Sequence, residues 1–352
     1  MNIIYPLLDY LGDINQVCGM KRYALLDGKA KNTEAIDIDN GSGLFFTVLT
    51  DRCMDIATLK FKGTPLAFLS RTGIVSPAFY NDRGDEWLRS FGGGLLTTCG
   101  FTQAGEPCEF DGVYHGLHGP ASSLPARLTM CDEYWQNDVY TMELRGRIRQ
   151  AKPQYEHIEL ERRIICTAGQ NTVCLADTIR NEGARPEPLM LVYHMNFGFP
   201  LVNPSCGIFI PSAKVSGWDD YSTAHAAEWR SMPAPHSDAK DRVFLHTPRS
   251  EDGRTGFLLC NDRETPTMAV HVSYTADVLH TLAQWQYPCK RDYVMALEPC
   301  NHALLGVKHE HESKTLRYIN PGESVSIRLE ISVLDDPPQI KKLQAEIYDF
   351  SI

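Results

Sequence analysis

Two side chains suited to moving protons stand in apolar surroundings. His194 interrupts the apolar and aromatic segment Leu191–Pro200, and an imidazole with an ordinary pKa of about 6.5 exchanges protons near neutral pH. Glu298 follows the apolar segment Asp292–Leu297, where partial burial would raise its pKa and make it a usable base. The plainer alternatives are a hydrogen-bonded core histidine and a solvated acid at the end of a strand.

A pair of histidines, His115 and His118, lies in the segment Gly112–Ser122. Glycines beside both residues leave the rings accessible, so each histidine is a candidate for binding a substrate. A metal site usually needs a third and a fourth ligand. The segment His309–His311 offers such groups, but nothing in the sequence ties it to this loop. We therefore favour a role without metal for the pair.

The most glycine-rich stretch, Phe91–Gly100, lacks the pattern of a dinucleotide-binding loop. The motif G-x-G-x-x-G fails because Thr97 occupies the position of its last glycine, and no helix is predicted to follow. Consecutive glycines permit tight backbone conformations and the close approach of another group. The stretch is therefore either a kink in a curved strand or the floor of a substrate cleft.

The charge balance and the cysteines exclude several classes of protein. The 352 residues include 34 Lys and Arg against 44 Asp and Glu, a net charge of −10. Because no basic run occurs, we expect no nucleic acid as a partner. The eleven cysteines are odd in number and contain no C-x-x-C pair, so we expect reduced thiols and no disulfide framework.

The sequence contains no targeting or membrane signal. Residues 1–16 have no basic start, and Asp9 interrupts their apolar stretch, so a signal peptide is not predicted. The longest other apolar stretch, Leu189–Val202, contains His194 and Asn196 and is too short and too polar to span a bilayer. We expect a cytoplasmic protein with no membrane partner.

Apolar residues alternate with period two along most of the chain, which predicts β-strands. Two hairpins are predicted, Gly43–Phe61 with a turn at Thr50–Cys53 and His157–Ile179 with a turn at Ala168–Asn171. Helical periodicity is convincing only near the C-terminus, at about 339–350. Because no β-α-β alternation occurs, we expect an all-β fold of stacked antiparallel sheets with few short helices. We expect one domain over residues 1–352.

The order of four short motifs resembles the aldose 1-epimerase (galactose mutarotase-like) superfamily. The motifs are LHG at Leu117–Gly119, YH-x-x-F at Tyr193–Phe197, LEP at Leu297–Pro299 and PGE at Pro321–Glu323. The match extends over about residues 35–335 and looks most like an uncharacterised bacterial branch of that superfamily. The resemblance implies a β-supersandwich of antiparallel sheets.

The resemblance also implies roles for three side chains. The histidine matching His194 is the general acid on the ring oxygen of a sugar, and the glutamate matching Glu298 is the general base on the anomeric hydroxyl. The histidine matching His118 binds and polarises the sugar near its ring oxygen. An acid and a base on opposite sides of the ring suffice to open and reclose a hemiacetal, so no metal or organic cofactor is expected. The implied reaction is the interconversion of sugar anomers.

The chain departs from the family pattern in its binding residues. The asparagine before the family's Leu-His is Gly116 here, and the second glycine after the histidine is Pro120. The strand that usually supplies a substrate-binding arginine corresponds to Gly92–Gly100, which contains none. Arg89, just upstream, and Arg52 are the candidates to replace it.

Two further residues are candidates for binding the sugar. Asp241 precedes a V-F pair and resembles the sugar-binding aspartate of the family. Trp285 could stack on the face of a sugar, as could Trp87 and Tyr287. Aromatic residues of this kind are equally common in hydrophobic cores. The partner expected from the resemblance is a small sugar, bound by a monomer or a homodimer.

Two other functions stay open on this fold: a non-catalytic carbohydrate-binding protein, and a sugar isomerase, lyase or hydrolase. The presence of both His194 and Glu298 favours an enzyme over a binding protein. A glycosidase requires two carboxylates that converge on the scissile bond. In this sequence only Glu298 is a clear candidate for such a carboxylate. An epimerase requires that His118, His194 and Glu298 converge on one face of a sheet, and we predict that they do.

Overall fold

The computed structural model describes residues 5–351 and the side chains of residues 5–347. The strands in this range are, in chain order, β1 (Gly19–Ala24), β2 (Glu34–Asp39), β3 (Leu44–Leu49), β4 (Asp55–Phe61), β5 (Thr64–Pro65), β6 (Thr97–Phe101), β7 (Cys108–Phe110), β8 (Val113–His115), β9 (Ala126–Gln136), β10 (Val139–Ala151), β11 (His157–Thr167), β12 (Thr172–Asn181), β13 (Glu187–Pro188), β14 (Met190–Phe197), β15 (Gly207–Phe209), β16 (Ser212–Gly217), β17 (Arg242–Pro248), β18 (Arg254–Cys260), β19 (Ala269–Thr275), β20 (Thr281–Cys289), β21 (Asp292–Cys300), β22 (Tyr318–Ile319) and β23 (Ser324–Leu334).

Helices are few and mostly short. The α-helices of the described range are α1 (Asp220–Ala224), α2 (Gly306–Glu312) and α3 (Pro337–Ser351). Short 3-10 helices occupy Tyr5–Tyr10, Ile14–Gln16, Gly28–Ala30, Pro77–Phe79, Glu86–Ser90, Ala121–Ser123 and Ala226–Glu228. None of these helices has the length and apolar character needed to cross a membrane. The helix predicted near the C-terminus is confirmed, and it begins two residues earlier than expected.

Three larger sheets contain most of the strands that the structure describes. The first has eight strands in the order β15-β18-β19-β23-β12-β11-β10-β9, the second six in the order β16-β17-β20-β21-β14-β6, and the third five in the order β1-β2-β3-β4-β5. The pairs β7-β8 and β13-β22 stand apart. Neighbouring strands in every sheet are antiparallel, so the predicted all-β architecture is confirmed.

Both predicted hairpins form. β3 pairs with β4 around the predicted turn, and β11 pairs with β12 across residues 168–171. In β11 and β12 buried residues alternate with more exposed ones, as expected for strands with one face against a core. In β3 and β4 most residues are buried on both faces. A single apolar core takes in residues from all three larger sheets.

The two faces of the six-stranded sheet differ in what covers them. In β14, Tyr193, Met195 and Phe197 point into the main core between the sheets. Because side chains alternate along a strand, Val192 and His194 point to the opposite face. On that face Val192 belongs to a second, smaller apolar cluster around Trp87, Phe91 and Cys300. His194 therefore lies outside the main core, on a face with its own covering layer.

A buried ionic cluster joins the three sheets. Arg162 of β11 donates to Asp177 of β12 with an Nη2–Oδ2 distance of 2.7 Å, and to Asp55 of β4 with an Nη1–Oδ1 distance of 3.0 Å. The hydroxyl of Tyr193 in β14 donates to Asp177 at 2.7 Å. All four side chains are buried. The cluster fixes the position of the strand residue next to His194.

The prediction for the position of Glu298 needs one correction. Glu298 was expected to end its strand, but β21 continues to Cys300, and Glu298 pairs with Ala283 inside the sheet. Pro299 was the residue that suggested the end of the strand. The pairing of β21 with β20 nevertheless continues through Pro299, which lies opposite Leu282. The carboxyl group is consequently far more deeply buried than a strand-end acid.

Candidate functional site

The register of two neighbouring strands, β14 and β21, brings the two proton-exchanging side chains together. β14 pairs with β21 at Val192 and Cys300. Two residues further along each antiparallel strand, the same register brings His194 opposite Glu298. Residues opposite each other in an antiparallel pair point to the same face. Residues separated by about a hundred positions in sequence thus become direct cross-strand neighbours.

His194 and Glu298 form a close, buried pair. The distance between Nε2 of His194 and Oε1 of Glu298 is 3.5 Å. His194 is 5% exposed and Glu298 is 2% exposed. The two side chains are cross-strand neighbours on one face of the sheet. We expected an acid and a base on opposite sides of a sugar ring, and the structure differs from that arrangement.

Burial moves the pKa values of the pair in opposite directions. The loss of water around the carboxyl raises the pKa of Glu298 to about 8. The same loss of water, with His118 as a second cause, lowers the pKa of His194 to about 3. Between those values the pair carries one labile proton, which is held on the Glu298 carboxyl beside a neutral His194 imidazole. It can therefore offer an acid and a base at the same time.

His118 approaches the pair from a loop. Its ring centroid lies 5.8 Å from that of His194, with the two planes nearly perpendicular. The backbone N–H of Gly105 donates to Nδ1 of His118 at 3.3 Å, so the neutral ring carries its proton on Nε2. Burial lowers the pKa of His118 to about 4, which keeps the ring neutral at physiological pH. Its Nε2–H is a donor suited to a sugar oxygen.

Glycine is needed on both sides of His118 for the loop to pack. His118 itself has a left-handed backbone with φ of 58°. A Cβ on Gly116 would lie 2.1 Å from the carbonyl oxygen of Asp82, and one on Gly119 would lie 2.3 Å from that of Gln103. Both approaches are too short for any side chain. The glycines that suggested an accessible histidine thus allow the loop to pack closely.

Aromatic rings enclose the three groups. The 3-10 helix Glu86–Ser90 and the residue after it place Trp87 at 4.8 Å from His118 and Phe91 at 5.3 Å from His194, measured between ring centroids. Trp285 of β20 lies 5.9 Å from His194 on the same sheet face. These apolar rings exclude water, which is the physical cause of the pKa shifts described above. Of the residues predicted for sugar binding, His118 and Trp285 join the pair.

A fourth ionisable residue, His302, was not predicted. It is buried, and burial together with the neighbouring His118 lowers its pKa to about 3. The backbone N–H of Leu304 donates to its Nδ1 at 3.0 Å, and its Nε2 is buried without a hydrogen-bond partner in the described part of the chain. The only indication in the sequence that His302 could lie near the site is its position four residues after Glu298.

The two candidate arginines lie elsewhere. Arg52 is buried, donates from Nη1 to the carbonyl oxygen of Val75 at 2.7 Å and has a pKa lowered by burial. It lines a cavity of about 30 Å³ together with Gly92–Gly94 and Thr97. The side chain of Arg89 is 74% exposed and pairs with Glu86. Neither arginine forms a hydrogen bond or ion pair with His194 or Glu298 in the described structure.

Asp241 and His115 also lie apart from the pair. Asp241 is exposed, and its charge acts on Tyr287, which stacks on Trp285 at 6.0 Å. His115 lines a separate cavity of about 730 Å³, whose lining does not include His118, His194 or Glu298. The spacing of His115 and His118 in the sequence therefore did not predict a common site.

The ionisable side chains in the described range do not form a recognisable metal site. No group of three or more His, Cys, Asp and Glu side chains among these residues is arranged to hold a metal ion. The eleven cysteines are free, and most of them are buried. The thiols whose pKa is resolved have values raised chiefly by burial, which makes poor nucleophiles of them.

Comparison with known proteins gives the family of the chain. The family described as a domain of unknown function, DUF4432, matches residues 30–333. The chain belongs to this family. No curated protein sequence is similar enough to count as a match.

Solved structures share the fold. The crystal structure of a candidate aldose 1-epimerase from Klebsiella pneumoniae is 23% identical, with a TM-score of 0.89, and the alignment covers 95% of this chain and 88% of that one. A galactose mutarotase-like protein from Clostridium acetobutylicum is 14% identical, with a TM-score of 0.62, over 92% of this chain and 100% of that one. A galactose 1-epimerase from Lactobacillus acidophilus is 11% identical, with a TM-score of 0.56, over 90% and 99%. The predicted galactose mutarotase-like fold is confirmed.

Proposed function

We propose that the protein is a sugar epimerase that interconverts the anomers of an aldose or related sugar by acid–base ring opening and closure. The observation that carries this proposal is the buried His194–Glu298 pair, with 3.5 Å between Nε2 and Oε1 and one labile proton at neutral pH. The named activity of a fold relative, galactose 1-epimerase, supports the same class of reaction.

The chemistry needs only what this pair supplies. Ring opening removes a proton from the anomeric hydroxyl and delivers one to the ring oxygen, after which rotation and reclosure give the other anomer. Both oxygens are bonded to the same carbon, so an acid and a base at neighbouring positions can serve both. A positioned acid or base contributes about 10²–10⁴-fold to such a reaction. We assign Glu298 as the base at the anomeric hydroxyl and His194 as the acid at the ring oxygen, roles that require the labile proton to move from Glu298 to His194 in the complex with the sugar.

The neighbouring residues bind and orient the sugar in this proposal. His118 donates its Nε2–H to the sugar near the ring oxygen. Trp285 offers an aromatic face on which the apolar C–H groups of a sugar can stack. The apolar enclosure keeps bulk water from the reacting oxygens, which strengthens each hydrogen bond made there.

The proposal is tested by measuring anomer exchange directly. Exchange between the α and β forms is followed by NMR for a panel of aldoses and uronates, with and without the protein. We expect at least one sugar of the panel to exchange faster than its spontaneous rate. If no member of the panel exchanges faster, the proposal is wrong.

We expect the rate to depend on pH through the two titrations of the pair. Burial sets the pKa of His194 at about 3 and that of Glu298 at about 8. Above pH 8 the labile proton is lost and the acid is missing, so kcat/KM should fall; near pH 3 a second proton binds and the base is missing. The measurement is kcat/KM against pH after subtraction of spontaneous exchange. A value that still rises between pH 8 and 10 would contradict this assignment.

We also expect activity to be independent of metal. The proposed proton transfers use only His194 and Glu298, so extended treatment with a chelator should leave the rate unchanged. Elemental analysis of the purified protein checks the same point. Loss of activity on chelation, restored by one divalent ion, would favour a metal-dependent isomerase instead.

A further inference from the structure

The larger of the two cavities described above lies outside the proposed acid–base site. It has a volume of about 730 Å³, within the range of small-molecule sites. Its walls come from the loop around His115, the end of β10 and the turn that leads to β11, residues 185–188 and helix α2. Gly116 and Gly119, on either side of His118 in sequence, also line it. The cavity and the proposed acid–base site therefore share one loop.

Three partly exposed aromatic rings line this cavity. Tyr114, Tyr155 and Tyr318 are between 40% and 49% exposed. Two cations lie near the ring of Tyr155, with Lys152 Nζ at 4.1 Å and the Arg185 guanidinium carbon at 5.7 Å from its centre. Tyr114 and Tyr318 are fixed through their hydroxyl groups, which contact the N–H of Gly84 at 2.7 Å and Nδ1 of His311 at 3.2 Å. Fixed aromatic faces of this kind suit the C–H faces of sugar rings.

A buried hydrogen-bond acceptor lines the same cavity. The side chain of Gln150 is 93% buried, and its Nε2 donates to the hydroxyl of Thr102 at 2.7 Å. Its Oε1 is buried and has no partner in the described part of the chain. A buried acceptor without a partner carries an uncompensated desolvation cost. A ligand hydroxyl that donates to Oε1 would remove that cost.

The charges around the cavity favour a neutral ligand. Asp82, Asp111, Glu156 and Glu187 line it as acids, against Lys152 and Arg185 as cations. Arg185 is engaged by Glu187, with 3.1 Å between Nε and Oε1. An anionic ligand would meet an excess of negative charge. Carboxylate and amide oxygens are, however, good acceptors for hydroxyl groups.

We propose that this cavity is a second carbohydrate-binding site, which takes a neutral saccharide. Stacking on the tyrosine rings and hydrogen bonds to Gln150 and the carboxylates recognise it. Binding here does not need the His194–Glu298 pair, so the site extends the proposed function without depending on it. His115, predicted to bind substrate, takes part in this second site.

Calorimetric titration of the full-length protein with maltose, cellobiose and lactose tests the proposal. We expect at least one of the three to bind. Replacing Tyr155 with alanine should weaken that binding by about tenfold or more, equivalent to about 1.4 kcal/mol. Tyr318→Ala is an independent second variant with the same expectation. Tyr10→Ala is the matched control, because Tyr10 is an exposed tyrosine that does not line the cavity.

The outcomes separate this proposal from the proposed function. Glu298→Gln should bind the saccharide as the wild type does, even if anomer exchange is lost. No binding of any of the three sugars, or unchanged binding by both tyrosine variants, overturns the second site. Galacturonate should bind more weakly than galactose, and tighter binding of the uronate would overturn the assignment to neutral ligands.

Discussion

Glu298→Gln is expected to reduce anomer exchange by at least about 100-fold, the lower end of what a positioned base contributes. The amide keeps the size of the carboxyl group and its ability to hydrogen-bond, but it cannot accept the proton of the anomeric hydroxyl. Sugar binding should therefore persist while turnover is lost. NMR exchange rates and a binding titration on the same sample measure the two effects separately.

A matched control comes from the same part of the molecule. Glu310 is also 2% exposed, and its Oε1 accepts from the N–H of Ala303 at 2.8 Å. Glu310→Gln makes the same chemical change in an equally buried position outside the pair, so its exchange rate should stay within a few-fold of wild type. Exchange by Glu298→Gln at the wild-type rate would mean that Glu298 is a structural acid.

His194→Asn gives a different signature in the same experiment. The asparagine cannot donate the proton to the ring oxygen, so the rate should again fall. The low-pH limb of the rate profile, which the titration of His194 near pH 3 sets, should be lost, because asparagine does not bind the second proton. The pair of variants thus separates the two proposed roles.

Local features of the chain were predictable from the sequence, and long-range ones were not. The hairpins at residues 43–61 and 157–179 follow from alternation and turn residues that lie close together in the chain. His194 and Glu298 could be selected as proton-exchanging groups because each stands in an apolar segment. Their direct opposition across two strands depends on register, which no local pattern specifies.

The errors of prediction have the same origin. His115 and His118 are three residues apart, yet they line different parts of the structure because the glycines between and after them let the chain turn. His302 lies four residues after Glu298, but its proximity to His118 arises only in the folded chain and leaves no local signal in the sequence. Arg162 did leave a signal, because alternation in β11 places it on the buried face with Ile158, Leu160 and Ile164.

Arg162→Met is expected to destabilise the fold by about 3–5 kcal/mol, the usual cost of removing one partner of a buried ion pair. Methionine fills similar space but leaves Asp55 and Asp177 buried without their cation. Burial already raises the pKa of Asp55, and Arg162 opposes that rise. Without the arginine the pKa of Asp55 rises further, so stability is retained below its unfolded pKa and is lost as pH rises through its folded value.

Urea unfolding at acidic and at neutral pH measures this effect, and the destabilisation should be larger at neutral pH. Arg147→Met is the control, because Arg147 in the neighbouring strand β10 is exposed and its ion pairs with Glu159 and Glu161 contribute at most about 1 kcal/mol. Equal unfolding free energies for the two variants would contradict a special role for Arg162. Asp177 also accepts from the hydroxyl of Tyr193, the residue before His194 in β14, so the buried cluster directly contacts the strand that carries the proposed acid.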